Sequence, residues 1–112
     1  MPAAWVVVRA TVANAADRVG FDAWYNAEHL PDAMKAFGVA TAWRGWSVQE
    51  PSVHCAHDRF ESAERLDTVM AGATIEPLVA EFDRRWAADK VTRTREVFMV
   101  GMNFNPTMTL CR

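Results

Sequence analysis

The sequence predicts an α+β fold: a ferredoxin-like split βαβ unit whose four-stranded antiparallel sheet carries its helices on one face. Three observations lead there. The chain has 112 residues and is 51% hydrophobic, enough apolar matter for one domain with a core of its own. Its strand-like and helix-like periodicities follow one another in the order β-α-β-β-α-α-β. Finally, the first and last strands are apolar on both sides, which a sheet with one wet face should not be.

The elements follow from local chemistry. Trp5 to Thr11 is rich in β-branched and aromatic residues and reads as a strand. Asn14, with Asp17 three residues on, offers a side-chain acceptor and an acid at a helix start near Ala15. Phe21, Trp24, Tyr25, Glu28 and His29 then recur at steps of three and four, placing an aromatic stripe and an imidazole on one helical face. Pro31 is expected to interrupt that helix, and a short turn through Met34 and Phe37 closes at Gly38 in a left-handed cap. Val39 to Ser47 and Val53 to Phe60 form a hairpin around Glu50-Pro51-Ser52. Ser62 caps a helix bearing Leu66, Val69, Met70 and Ala73, with Gly72 near its end. A further helix begins about Ile75, carries Leu78, Val79, Phe82 and Trp86, and tolerates Pro77 in its first turn. Val91 to Phe104 is the last strand, so residues 1–104 make the domain and 105–112, opening on Asn105-Pro106, a C-terminal tail.

Alternation along the last strand puts Val97, Met99 and Gly101 on one side and Phe98, Val100 and Met102 on the other. Helices of one subunit cover one face only, so the other face calls for a second layer. A second copy packing sheet to sheet supplies it, which predicts a homodimer.

Composition excludes several functions. Net charge is −2 and the Lys and Arg residues are scattered, which argues against nucleic acid as a partner. The apolar opening from Ala3 to Val8 is too short for a signal sequence or a membrane span, so a soluble cytoplasmic protein is expected. Cys55 and Cys111 stand at no metal or redox spacing and are expected to be free thiols. Phosphate loops, a nucleophile elbow and H-E-x-x-H are absent from the sequence. His54, Cys55, His57 and Asp58 could ligate a metal by type, but strand alternation sends them to opposite faces, so no metal site is expected.

The run Phe21-Asp-Ala-Trp24-Tyr25-Asn-Ala-Glu28-His29-Leu-Pro31, followed by Gly38 and by Ala42-Trp43-Arg44, resembles the F-x-x-W-Y-x-x-E-H-x-P signature of EthD-like proteins of the dimeric α/β-barrel superfamily. The likeness is sharp over residues 21–44 and elsewhere is one of element order; the third strand is more polar than is usual in that group. The resemblance implies two ferredoxin-like subunits forming a dimeric α/β barrel, with a small-molecule pocket between sheet and helices. Relatives in the superfamily include cofactor-free monooxygenases of polyketide quinols, muconolactone-type isomerases, polyketide cyclases and some haem proteins. Fold therefore leaves the reaction open.

His29 is the first catalytic candidate, an imidazole on an aromatic helical face whose ordinary pKa suits proton transfer; its alternative is a structural ring bonding a carbonyl freed by Pro31. His54 and Asp58 lie four apart on one strand, so they share a face with Ala56 and Phe60, while His57 points to the interface or edge. Facing the helices, they would line the same interior as His29, either as a mutual hydrogen-bond network or as a ligand site, with Asp58 orienting His54. Tyr25 could donate to a carbonyl, Asn26 and Arg44 could stabilise an enolate, and Trp24 could wall a flat ligand. Two functions follow: a cofactor-independent isomerase, cyclase or monooxygenase working by acid and base on a small carbonyl or aromatic compound, or a passive small-molecule binding protein with the same chamber. Haem held by a histidine finds no specific support. A cavity of several hundred Å³ reached by His29 and His54 would favour the enzyme.

Overall fold

A computed structural model describes residues 3–39 and 41–99. The chain runs β1 (Ala4–Val12), α1 (Ala15–Trp24), a π turn (Tyr25–His29), α2 (Leu30–Phe37), β2 (Thr41–Trp46), β3 (Val53–Phe60), α3 (Ala63–Met70), α4 (Glu76–Arg85) and β4 (Val91–Met99). The four strands form one antiparallel sheet in the order β2-β3-β1-β4. This is the ferredoxin-like arrangement expected. The part of the last strand expected beyond Met99, the tail and Cys111 lie outside the described residues.

The helix signals act as local chemistry dictates. Asn14 accepts a hydrogen bond from the Ala16 amide at 3.0 Å through its side-chain oxygen, and the Ser62 hydroxyl accepts one from Arg65 at 3.2 Å. Gly38 ends α2 at φ 68°, where a Cβ would lie 2.9 Å from the Arg65 guanidinium that donates to the Phe37 carbonyl.

Pro31 does not break the helix. The turn before it widens instead: the Leu30 amide reaches back five residues to the Tyr25 carbonyl, and the proline stands in the first turn of α2, where it has no donor to lose. The π turn thus absorbs a ring that an α-helix could not house.

Register fixes which side chains meet. Val6 stands between Asp58 on β3 and Val97 on β4, and Val8 between Ala56 and Arg95. The face carrying Val6 packs under the helices except at β4, where Val97 and Met99 are 47% and 59% exposed; the other face presents Trp5, Val7, Trp43, His57 and Phe98. On that helix-free face Trp43 is 50% exposed and Phe98 47%. Trp43 stacks on His57 with centroids 3.7 Å apart. Arg9, Arg59 and Glu96 border this aromatic patch, so the face is mixed rather than uniformly apolar.

Two clusters make up the layer between sheet and helices. One gathers Phe21, Trp24, Tyr25, Phe82 and Trp86 around Ala10, Val12, Ala56 and Val91. The other joins Val6, Ala33, Phe37, Phe60, Leu66, Val69 and Ile75.

Candidate functional site

A cavity of about 340 Å³ opens beside the second cluster, within the range of small-ligand pockets. Aliphatic walls come from Val6, Val8, Ala33, Ile75, Leu78 and Val79. The polar residues that line it are Tyr25, His29, Asp58, Arg93, Thr94 and Arg95.

Each arrives by a traceable route. Strand alternation turns Asp58 inward, where the residue is only 4% exposed and its Oδ1 has no hydrogen-bond partner among the described residues. Burial holds its carboxyl pKa up at about 6. The π turn delivers Tyr25 and His29 to the same chamber, ring centroids 4.9 Å apart. His29 is held by stacking on Trp24 at 4.8 Å and meeting Phe82 edge-on at 5.3 Å. Burial first, and then the positive field of Arg93, lower its pKa to about 4, so the ring is neutral at neutral pH. Burial and the nearby Asp58 push the Tyr25 phenol up, which keeps it a hydrogen-bond donor.

Arg93 was not singled out from the sequence. Its guanidinium lies over the Phe82 ring at 3.9 Å and pairs with Asp83 at 3.2 Å. Counting by twos from the buried Val91 places it on the helix face, a signal present in the strand pattern.

Other expected site residues lie elsewhere. His54 does face the helices, but it is fully buried and does not line the cavity. Phe21, Tyr25 and Trp46 surround its ring at 5.3, 4.5 and 5.1 Å. Nor does Asp58 orient it: four residues along a strand separate Cα atoms by about 13 Å, and no hydrogen bond joins the two, His54 Nδ1 and Asp58 Oδ1 both lacking a partner among the described residues. Sharing a face did not mean sharing a place. Arg44 is committed to Asp22 at 2.7 Å, with His54 Nε2 3.4 Å away, and Trp46 donates to the same carboxylate at 2.8 Å. Those two hydrogen bonds hold the Asp22 pKa down. Asn26 is exposed, and Trp24 backs His29 without lining the chamber. Among the described residues no three His, Cys, Asp or Glu side chains gather as a metal site would require. None of their helices is long and apolar enough to cross a membrane.

Comparison with known proteins agrees with this architecture. No protein-family profile matches the chain, and no curated protein matches it in sequence. Among solved structures, SnoaB, a cofactor-independent oxygenase from Streptomyces nogalater crystallised as its N63A mutant, superposes with a TM-score of 0.66 over 90% of this chain and 95% of its own, at 13% identity. The chain has the dimeric α/β-barrel subunit fold. An EthD family protein from Bacillus halodurans aligns at TM-score 0.56 over 82% of this chain and 96% of its own, at 17% identity. A dimeric ferredoxin-like protein from an uncultured marine organism aligns at 0.54 over 93% and 100%, at 14% identity. At such identities the likeness is one of fold.

Proposed function

We propose that this protein is a cofactor-independent enzyme that removes a proton from the carbon beside a carbonyl of a small, flat compound, Asp58 acting as the base. One observation carries the reading: a buried carboxyl with an unpartnered oxygen, poised at a pKa of about 6, opens into a chamber able to hold a substrate. A carboxylate buried without a partner is costly, so a protein that keeps one has a use for it. The Tyr25 phenol and the neutral His29 ring supply donors for the oxygen on which negative charge collects. Isomerisation, cyclisation and oxygenation all begin with this step, and the cofactor-independent oxygenase of the same fold supports the last of them.

Deuterium exchange tests it. In D₂O, 2-tetralone should lose its C–H signals at positions 1 and 3 faster with protein than without, the rate rising through pH ~6 as Asp58 ionises. Asp58→Asn should lower the protein-dependent rate at least about 100-fold. Exchange within threefold of wild type in that variant removes Asp58 from the role, and tight binding with no exchange favours a passive carrier.

The enzyme works in the cytoplasm as a homodimer, the helix-free faces of two sheets meeting across Trp5, Trp43 and Phe98. The exposed aromatic patch supports this, as do the free thiol of Cys55 and the dimeric relative of the same fold. Light scattering should give twice the 12.6 kDa of the chain, and Trp43→Glu should halve the measured mass. A wild-type monomer at 100 μM refutes the pairing.

A further inference from the structure

We propose that the ligand of this chamber is an organic anion, a flat and mostly apolar carboxylic acid whose carboxylate is held by Arg93. The inference takes the cavity to be the substrate site, as in the reading above, and adds what the substrate must carry.

The polar groups of the cavity are not mixed at random. With about 4.8 Å between strands and about 3.3 Å per residue, Asp58 on β3 and Arg93 on β4 are about 16 Å apart at Cα, on opposite sides of the chamber. Arg95 stands one inward-facing position from Arg93, toward Asp58. Tyr25 also lines the chamber. A substrate that lays its acidic C–H against Asp58 therefore places its far end at a guanidinium.

That guanidinium is prepared for an anion. Its plane is fixed by the Phe82 ring 3.9 Å beneath it, and Phe82 is itself buried. Its side chain is 24% exposed, so solvent screens it incompletely. Among the described residues its one ion pair uses Nη2, and the partner, Asp83, is 66% exposed on the outer side of α4. The rest of the planar fork is open to a carboxylate, whose two oxygens match paired guanidinium donors. An amide or ester of the same shape offers no charge. The aliphatic walls of the chamber suit ring carbons.

The experiment compares 2-naphthoate with naphthalene-2-carboxamide by isothermal titration calorimetry on the full chain at pH 7.5. The acid should bind at least tenfold more tightly than the amide. Arg93→Gln should bring the two within about twofold by weakening the acid alone, and Arg93→Lys should keep part of the preference. Asp83→Asn, which frees the guanidinium of its rival, should tighten the acid about two- to threefold and serves as a second reading if Arg93→Gln fails to fold. Equal affinities in the wild type, an acid preference that survives Arg93→Gln, an unchanged acid affinity in Asp83→Asn, or no binding of either probe at 5 mM overturns the anchor. This outcome is separable from that of the exchange assay. Anion preference without tetralone exchange leaves the anchor standing and removes the acid–base reading; exchange of neutral tetralone without anion preference does the reverse.

Discussion

The layer between sheet and helices has a filled end and a hollow end. At the filled end, Phe21 has no exposed surface and meets six aromatic partners with centroids between 5.3 and 6.0 Å, His54 among them. At the hollow end, buried and half-buried aliphatic side chains leave about 340 Å³ between them, into which Asp58 points. Both ends hold a histidine whose pKa is depressed to about 4, yet only His29 borders space. Titration behaviour alone thus does not tell a catalytic group from a packed one. What separates them is whether a reacting molecule has room to arrive.

The largest effect should come from emptying the filled end. Phe21→Ala removes a fully buried ring from a cluster that cannot collapse around the loss and should cost about 3–5 kcal/mol in urea unfolding. Leu78→Ala, at the half-buried wall of the cavity, should cost about 1 kcal/mol, since much of that side chain already faces space. Equal losses at both positions would erase the contrast.

Asp58→Asn comes next, with opposite sign. The folded pKa of about 6 stands above the 3.8 of an unperturbed aspartate, so between these values the native state binds the extra proton and stability falls as pH rises. Above pH 6 the buried carboxylate costs the fold on the order of 2–3 kcal/mol, by 1.36 kcal/mol per pKa unit. Removing the charge should therefore stabilise the protein at pH 8 by up to that amount and have no such effect below pH 4. A destabilised variant at pH 8 would mean that the carboxylate has a partner in solution. The two histidines act in the other direction: depressed from 6.5 to about 4, they stay neutral in the fold while the unfolded chain takes up protons, so stability falls as pH falls from 6.5 to 4. His54→Gln and His29→Gln should each make this acid limb shallower, but only the second should change ligand binding.

How much of this was legible beforehand differs between fold and site. Strand and helix order, the caps at Asn14 and Ser62, and the left-handed Gly38 follow from short-range rules that no tertiary contact overrides. The π turn did not follow, because a proline's effect on the preceding turn depends on whether the neighbouring sheet leaves the helix room to widen. At the site, alternation assigned Asp58 and His54 to the correct face, but a face is a line of positions, and their shared direction hid a separation of about 13 Å. Arg44 looked available by type and is consumed by Asp22, a contact between residues 22 apart in sequence that periodicity cannot reveal. Arg93 was available to the same counting that placed Asp58, yet apolar residues drew the reading of the last strand toward its far half.

The smallest expected change is also the most direct probe of the contrast. Ala33 on α2 and Ala56 on β3 are both buried alanines facing the same layer, one against the cavity and one inside the aromatic cluster. Adding a leucine side chain at Ala56 has no void to enter, so Phe21, Trp46 or their neighbours must leave favourable rotamers, at a cost of about 1–3 kcal/mol. The same addition at Ala33 extends into the cavity, where buried methyl and methylene groups gain free energy that offsets the lost side-chain freedom, and stability should stay within about 1 kcal/mol of wild type. Its effect should appear in ligand binding instead: 2-naphthoate affinity should fall at least tenfold in Ala33→Leu, with the melting temperature nearly unmoved. If Ala33→Leu proves as costly to the fold as Ala56→Leu, the chamber is closed in solution and both ends of the layer are packed alike.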